Sequence, residues 1–93
     1  DQERLEQLAE YFRLLGDPMR LKILHLLRNG ELSVNEIVEK TDSSQPNISK
    51  HLSILRTANV VKRRKVGTCA LFSICAPFIF TLCDTVCSSL DDQ

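Results

Sequence analysis

Ser44-Gln-Pro-Asn-Ile-Ser-Lys-His-Leu-Ser-Ile-Leu55 carries the clearest structural signal in the chain. Ile48, Leu52 and Leu55 recur at spacings of four and three, the apolar stripe of a helix. Ser44 supplies an N-cap oxygen, and Pro46 falls in the first turn, where a missing N–H leaves nothing unpaired. Opposite the stripe lie Asn47, Ser49, Lys50 and Ser53, all polar and none acidic. Just upstream, Ser33-Val-Asn-Glu36 is a capping box, in which serine oxygen and glutamate each reach an orphan amide. It opens a short helix over 33–40 with Val34, Ile37 and Val38 facing inward, and Thr41-Asp-Ser43 is a turn. Two helices joined by a tight turn are the result, and the second has one face for a core and one free to form hydrogen bonds.

Toward the N-terminus, Leu5, Leu8, Phe12 and Leu15 set a helical stripe over 3–15 that Gly16 ends. Asp17-Pro18 is an N-cap followed by proline at the first helical position. The helix it opens, 18–29, carries Leu21, Ile23, Leu24, Leu26 and Leu27 on several faces, so it packs on more than one side. Asn29-Gly30 closes it. After Asn59 the period changes: Val60-Val-Lys-Arg-Arg64 is β-prone, Val66-Gly-Thr68 can turn, and Cys69-Ala-Leu-Phe-Ser-Ile74 is a second strand. Ala76-Pro77 restarts a helix over 77–90, with Ile79, Leu82, Cys83, Val86, Cys87 and Leu90 on one stripe. The order α-α-α-α-β-β-α describes a mainly α fold with a small β-hairpin, a winged helix–turn–helix: residues 33–58 form the helix–turn–helix and 60–75 the wing. Such a unit presents its second helix to the DNA major groove.

The chain's 93 residues suit one small domain, 1–93. No apolar run reaches the roughly 18 residues of a membrane span. The opening Asp1-Gln-Glu-Arg4 lacks the charged-then-apolar pattern of a signal peptide, so a cytoplasmic chain with no membrane partner is expected. Twelve bases against twelve acids give a net charge of zero, which taken alone argues against a nucleic-acid binder. The average hides a segregation. Residues 1–42 hold nine acids and six bases, whereas Ser43 to Cys83 holds no acid and six bases: Lys50, Arg56 and the run Lys62-Arg-Arg-Lys65. A segment of that kind fits a phosphate-facing surface, because each cation there displaces a condensed counterion. A nucleophile–base pair, a glycine-rich phosphate loop and paired carboxylates near a histidine are all missing from the sequence, so an enzyme is not expected.

With these elements in place, the sequence resembles the ArsR family of bacterial transcriptional repressors. Leu15-Gly-Asp-Pro-Met-Arg-Leu-Lys-Ile-Leu24 matches the family's opening of the second helix, and Ser44 to Leu55 matches its recognition helix. The resemblance covers about residues 5–75 plus a terminal helix of the expected size. It implies a homodimer joined through helices 1–15 and 77–90, binding double-stranded operator DNA until an inducer loosens the grip. The residues agree physically. Gln45 and Asn47 carry amides able to pair with base edges from the first turn. Ser44, Ser49 and Lys50 suit phosphates, and Arg63, Arg64 and Lys65 suit wing contacts with phosphate or the minor groove. His51 stays among the DNA-facing candidates, but it borders the apolar stripe, where a structural role outweighs a base contact.

The family's Cys-x-Cys metal site on the third helix has no counterpart in Glu31-Leu-Ser-Val-Asn-Glu-Ile37, and no histidine follows His51 to serve a site on the last helix. Four cysteines remain, all after residue 68: Cys69, Cys75, Cys83 and Cys87. Cys83 and Cys87 stand at i and i+4, with Cα atoms about 6 Å apart on one helix. That falls inside the disulfide window, but a bridge within one regular helix is strained. Cys69 and Cys75 are placed on one face of the second strand, roughly 20 Å apart and unable to bridge. Three readings stay open: thiols that react with oxidants or reactive sulfur, a Cys83–Cys87 thiolate site for arsenite or a soft metal, and cysteine as a small interface hydrophobe. No cofactor is required by the first or the third. A winged helix that binds DNA or protein without any inducer is the remaining alternative.

Overall fold

The computed structural model describes residues 1–92. Helices α1 (Gln2–Leu15) and α2 (Pro18–Leu27) lead to a short strand β1 (Leu32–Ser33), then helices α3 (Val34–Thr41) and α4 (Gln45–Thr57), strands β2 (Val61–Val66) and β3 (Cys69–Ile74), and helix α5 (Phe78–Asp91). Local chemistry sets most of these boundaries. The Asp17 carboxylate accepts from the amides of Met19 and Arg20 at 2.9 and 3.1 Å, with Pro18 beginning the helix. Ser33 and Glu36 form the reciprocal capping box, and Ser44 Oγ accepts from the Asn47 amide at 3.2 Å. Asp42 (φ 56°) and Asn59 (φ 61°) take the left-handed conformation just past α3 and α4, which those side chains tolerate better than most. Gly67 (φ 62°) serves the hairpin tip in the same way.

The architecture is a winged helix–turn–helix, with one correction to the expected order. The sheet has three strands, β1-β3-β2, rather than two. Leu32 and Ser33 pair antiparallel with Phe72 and Leu71, so the wing's inner strand is tied to the residues that open α3. A two-residue strand has no periodicity of its own; only its distant partner makes it one. Smaller shifts follow from the same competition. Helix α2 stops at Leu27 rather than at residue 29, with the Gly30 amide returning to the Leu27 carbonyl. The first wing strand runs 61–66, because Val60 is fully buried and its backbone bonds to Leu55 and Cys75 instead of entering the ladder.

The core gathers Ile23, Leu24 and Leu27 from α2, Ile37 from α3, and Ile48, Leu52 and Leu55 from α4. Val60, Val61, Phe72 and Ile79 close it. Helix α2 does bury several faces, and the α4 stripe is inside as read. By contrast Leu5, Leu8 and Phe12 of α1 and Val86 and Leu90 of α5 each keep half or more of their surface exposed. Those two helices therefore carry apolar faces that this chain does not cover. Among the described residues, no helix is long and apolar enough to cross a membrane.

Candidate nucleic-acid interface

Helix α4 is the centre of the site, and its caps and core stripe orient everything else on it. With Ile48, Leu52 and Leu55 locked inward, Gln45, Ser49, Ser53 and Arg56 fall along one flank at helical spacing. Gln45 Nε2 donates to Ser49 Oγ at 3.0 Å, leaving the Gln45 carbonyl oxygen free to accept. Asn47 Nδ2 donates to Ser43 Oγ at 2.9 Å, which orients its amide while its oxygen stays available. The Ser44 oxygen already accepts from a backbone amide, so its hydroxyl proton is what it can offer a phosphate. Lys50 is exposed on the side away from the core.

His51 leaves the DNA-facing set. It is only 7% exposed, and its Nδ1 lies 3.3 Å from a guanidinium nitrogen of Arg20. A guanidinium can only donate, so Nδ1 is the accepting nitrogen. The same Arg20 donates through Nε to the Leu14 carbonyl at 2.7 Å, linking the end of α1 to the underside of α4. His51 follows Ile48 by three residues and precedes Leu55 by four, which turns it toward the core.

The three wing cations are also not equivalent. Strand alternation puts Arg63 and Lys65 on one face of the sheet and Lys62 and Arg64 on the other. Arg64 makes a two-pronged contact with Glu31, at 3.1 and 2.7 Å, and holds that carboxyl below its ordinary range. It is therefore committed within the chain. Arg63, whose register partner is Phe72, stands on the α4 side. There a cleft of about 260 Å³ opens between α4 and the wing, edged by Ser49, Ser53, Arg56 and Arg63 over a floor that includes Leu52 and Phe72. Ser53 and Arg56 border this cleft and are not among the residues singled out from the sequence. Their spacing of four and seven from Ser49 was visible; what was not is that the wing folds back beside them.

The four thiols do not converge. Cys69 begins β3 and is exposed. Cys75 lies just beyond the last strand residue, Ile74, rather than on the strand, and its thiol donates to the Asn59 carbonyl at 3.0 Å. Cys83 and Cys87 line one groove of about 330 Å³ with Phe12, Leu82, Val86 and Leu90. Burial pushes the Cys83 thiol up, with the neighbouring Cys87 and Asp84 adding to the rise. Among the described residues, no group of three or more His, Cys, Asp or Glu side chains could hold a metal ion. Two thiols alone do not complete a soft-metal site within one chain, so the fit to such an ion is poor.

The model of bacterial regulatory proteins of the arsR family matches residues 17–63, which run from the α2 cap through α4 into the wing. The chain belongs to the arsR family. An uncharacterized HTH-type transcriptional regulator of Methanocaldococcus jannaschii is 49% identical over 67 residues, covering 71% of this chain and 75% of the relative. The transcriptional repressor SdpR of Bacillus subtilis is 38% identical over 63 residues, covering 68% and 70%. In structure, this arsR-family chain is similar to a homodimeric winged helix-turn-helix DNA-binding domain from Mycobacterium bovis. That match has a TM-score of 0.85 and 28% identity, and covers 99% of this chain and 85% of the other. The family is one of transcriptional regulators, so the chain is not an enzyme.

Proposed function

We propose that this arsR-family repressor works in the cytoplasm as a homodimer on double-stranded operator DNA. In this reading Gln45 and Asn47 read base edges, while Ser44, Ser49, Lys50, Arg63 and Lys65 hold backbone. The observation that carries it is the acid-free segment from Ser43 to Cys83, which mounts the recognition flank of α4 and the free wing cations side by side. The dimer is supported by the uncovered apolar faces of α1 and α5 and by the homodimeric M. bovis neighbour. Residues 1–93 act as one domain in which α1 and α5 join the copies.

Lys50, Arg63 and Lys65, the backbone cations of this reading, stand unpaired with any carboxylate among the described residues, three per copy. Two copies would neutralise about six phosphates, giving a slope of log affinity on log salt near −5 and about a 10³-fold loss between 50 and 200 mM salt. Fluorescence anisotropy on a labelled duplex across that range is the test. A flat response removes the DNA reading.

Release is assigned to Cys83 and Cys87, which open on the same groove between α1 and α5. A disulfide between copies is the favoured product, since a bridge within one helix is strained. Two thiols give up two protons and two electrons to a hydroperoxide, which leaves as alcohol and water. Cys87→Ser should then retain DNA binding and lose release by hydrogen peroxide and polysulfide. Release of the variant as readily as the parent excludes Cys87 as the sensor. Release of the parent by arsenite, and not by the oxidants, transfers the site to thiolate binding of a metalloid. No release by any of the three leaves a repressor without an inducer at these thiols.

A further inference from the structure

The cleft between α4 and the wing is edged by two arginines, and no acid lines it. Arg56 comes from the last turns of α4, and Arg63 from the face of β2 that also carries its register partner Phe72. Neither has a carboxylate within 4 Å among the described residues, and the sequence holds no acid between Ser43 and Cys83. Two arginines on the rim of one cleft make it attractive to an anion. Ser49 and Ser53 add hydroxyl donors to the same rim, and the apolar floor of Leu52 and Phe72 lowers the local dielectric. An anion with several acceptor oxygens and a compact tetrahedral shape fits that set of donors.

We propose that this cleft is a clamp for one phosphodiester of the DNA backbone, gripped between Arg56 and Arg63 and completed by Ser49 and Ser53. The proposal rests on the DNA-binding reading given above and adds two residues to it, Ser53 and Arg56. Its place along the helix is consistent with one strand of a duplex. Gln45 and Arg56 are eleven residues apart, about 16 Å of helix, slightly more than the roughly 12 Å width of the major groove. With the first turn of α4 at the base edges, the clamp meets the strand that borders the groove. It fixes both the helix and the wing on a single phosphate, and so sets the depth and tilt at which Gln45 and Asn47 enter.

A phosphate clamp acts on any sequence, so the probe is a fluorescein-labelled 30-base-pair duplex of mixed sequence, with anisotropy measured from 50 to 200 mM salt. Arg56→Gln, Arg63→Gln and the double variant are compared with the parent, and Lys22→Gln on α2 serves as a control. Both arginines are exposed, and the folded state of each variant is checked by its melting curve. A shared phosphate predicts that the double variant lowers the slope by about 0.9 per protomer and no more, while Lys22→Gln leaves it unchanged. Replacing both arginines by lysine should restore most of the slope. A double variant that loses about 1.8 per protomer means two separate phosphates and overturns the clamp. A double variant with the parent's slope overturns it too, leaving the repressor reading intact. A parent protein with no salt dependence at all overturns the repressor reading itself.

Discussion

Asp17 offers a sharp test of how this fold is held. Its carboxylate accepts from two amides at the start of α2, and that helix contributes Ile23, Leu24 and Leu27 to the core and sends Arg20 to His51. Asp17→Ala leaves both amides without their partner and removes a negative charge from the positive end of the helix. An N-cap deletion costs about 0.5–2 kcal/mol, and the lost charge lies within the same range of effects. At roughly 4–8 °C per kcal/mol for a domain of this size, the melting temperature should fall by about 6–12 °C for a loss near 1.5 kcal/mol. Asp17→Asn keeps an acceptor and should fall less. The pH dependence separates charge from geometry. The backbone amide of Arg20 is the main cause holding the Asp17 carboxyl below its ordinary value of 3.8 in the folded state. The stabilisation is therefore complete above that value and disappears as pH falls through the lower folded one. Melting followed by circular dichroism at fixed protein concentration, at pH 7 and pH 3, should show the gap between parent and Asp17→Asn narrowing at the lower pH. An Asp17→Ala variant within about 2 °C of the parent at pH 7, or a gap unchanged at pH 3, would mean that the Asp17 cap does not hold α2.

Leu52, 1% exposed beneath α4, should cost about 2–5 kcal/mol when cut to alanine. Urea unfolding should show this as a lower midpoint at constant slope, and a loss under 1 kcal/mol would mean the α4 stripe is not core. Phe12→Asp, on the uncovered face of α1, should convert a dimer to a monomer by light scattering; an unchanged mass places the interface elsewhere. Glu31→Gln frees Arg64 from its ion pair. The salt slope of DNA binding should steepen by about 0.9 per protomer, and no change would mean that Arg64 cannot reach phosphate even when released.

Most of the fold was legible because it is written in short-range chemistry. The Asp17, Ser33 and Ser44 caps join residues no more than three apart, and the α4 stripe repeats within one helix. What escaped depends on partners far along the chain. Leu32 is a strand residue only because Phe72 pairs with it, and Arg64 is neutralised only because Glu31 is brought beside it by the fold. The same holds for the site. Gln45 and Asn47 are candidates by their position on α4 alone, whereas Ser53 and Arg56 become candidates only because the wing lies beside them. His51 carried a mixed signal, polar by type and inward by spacing, and spacing prevailed.

Ser33 belongs to two elements at once, ending β1 and capping α3. The wing is therefore bolted to the helix–turn–helix at the residue where that unit begins, and the Arg64–Glu31 pair adds a second fastening beside it. A wing attached only by its own hairpin could swing clear of DNA while α4 stayed in its groove. This one is held at β1 as well. In the homodimer reading proposed above, α4 and the wing meet DNA as one part, and loosening the grip means moving whole copies relative to one another.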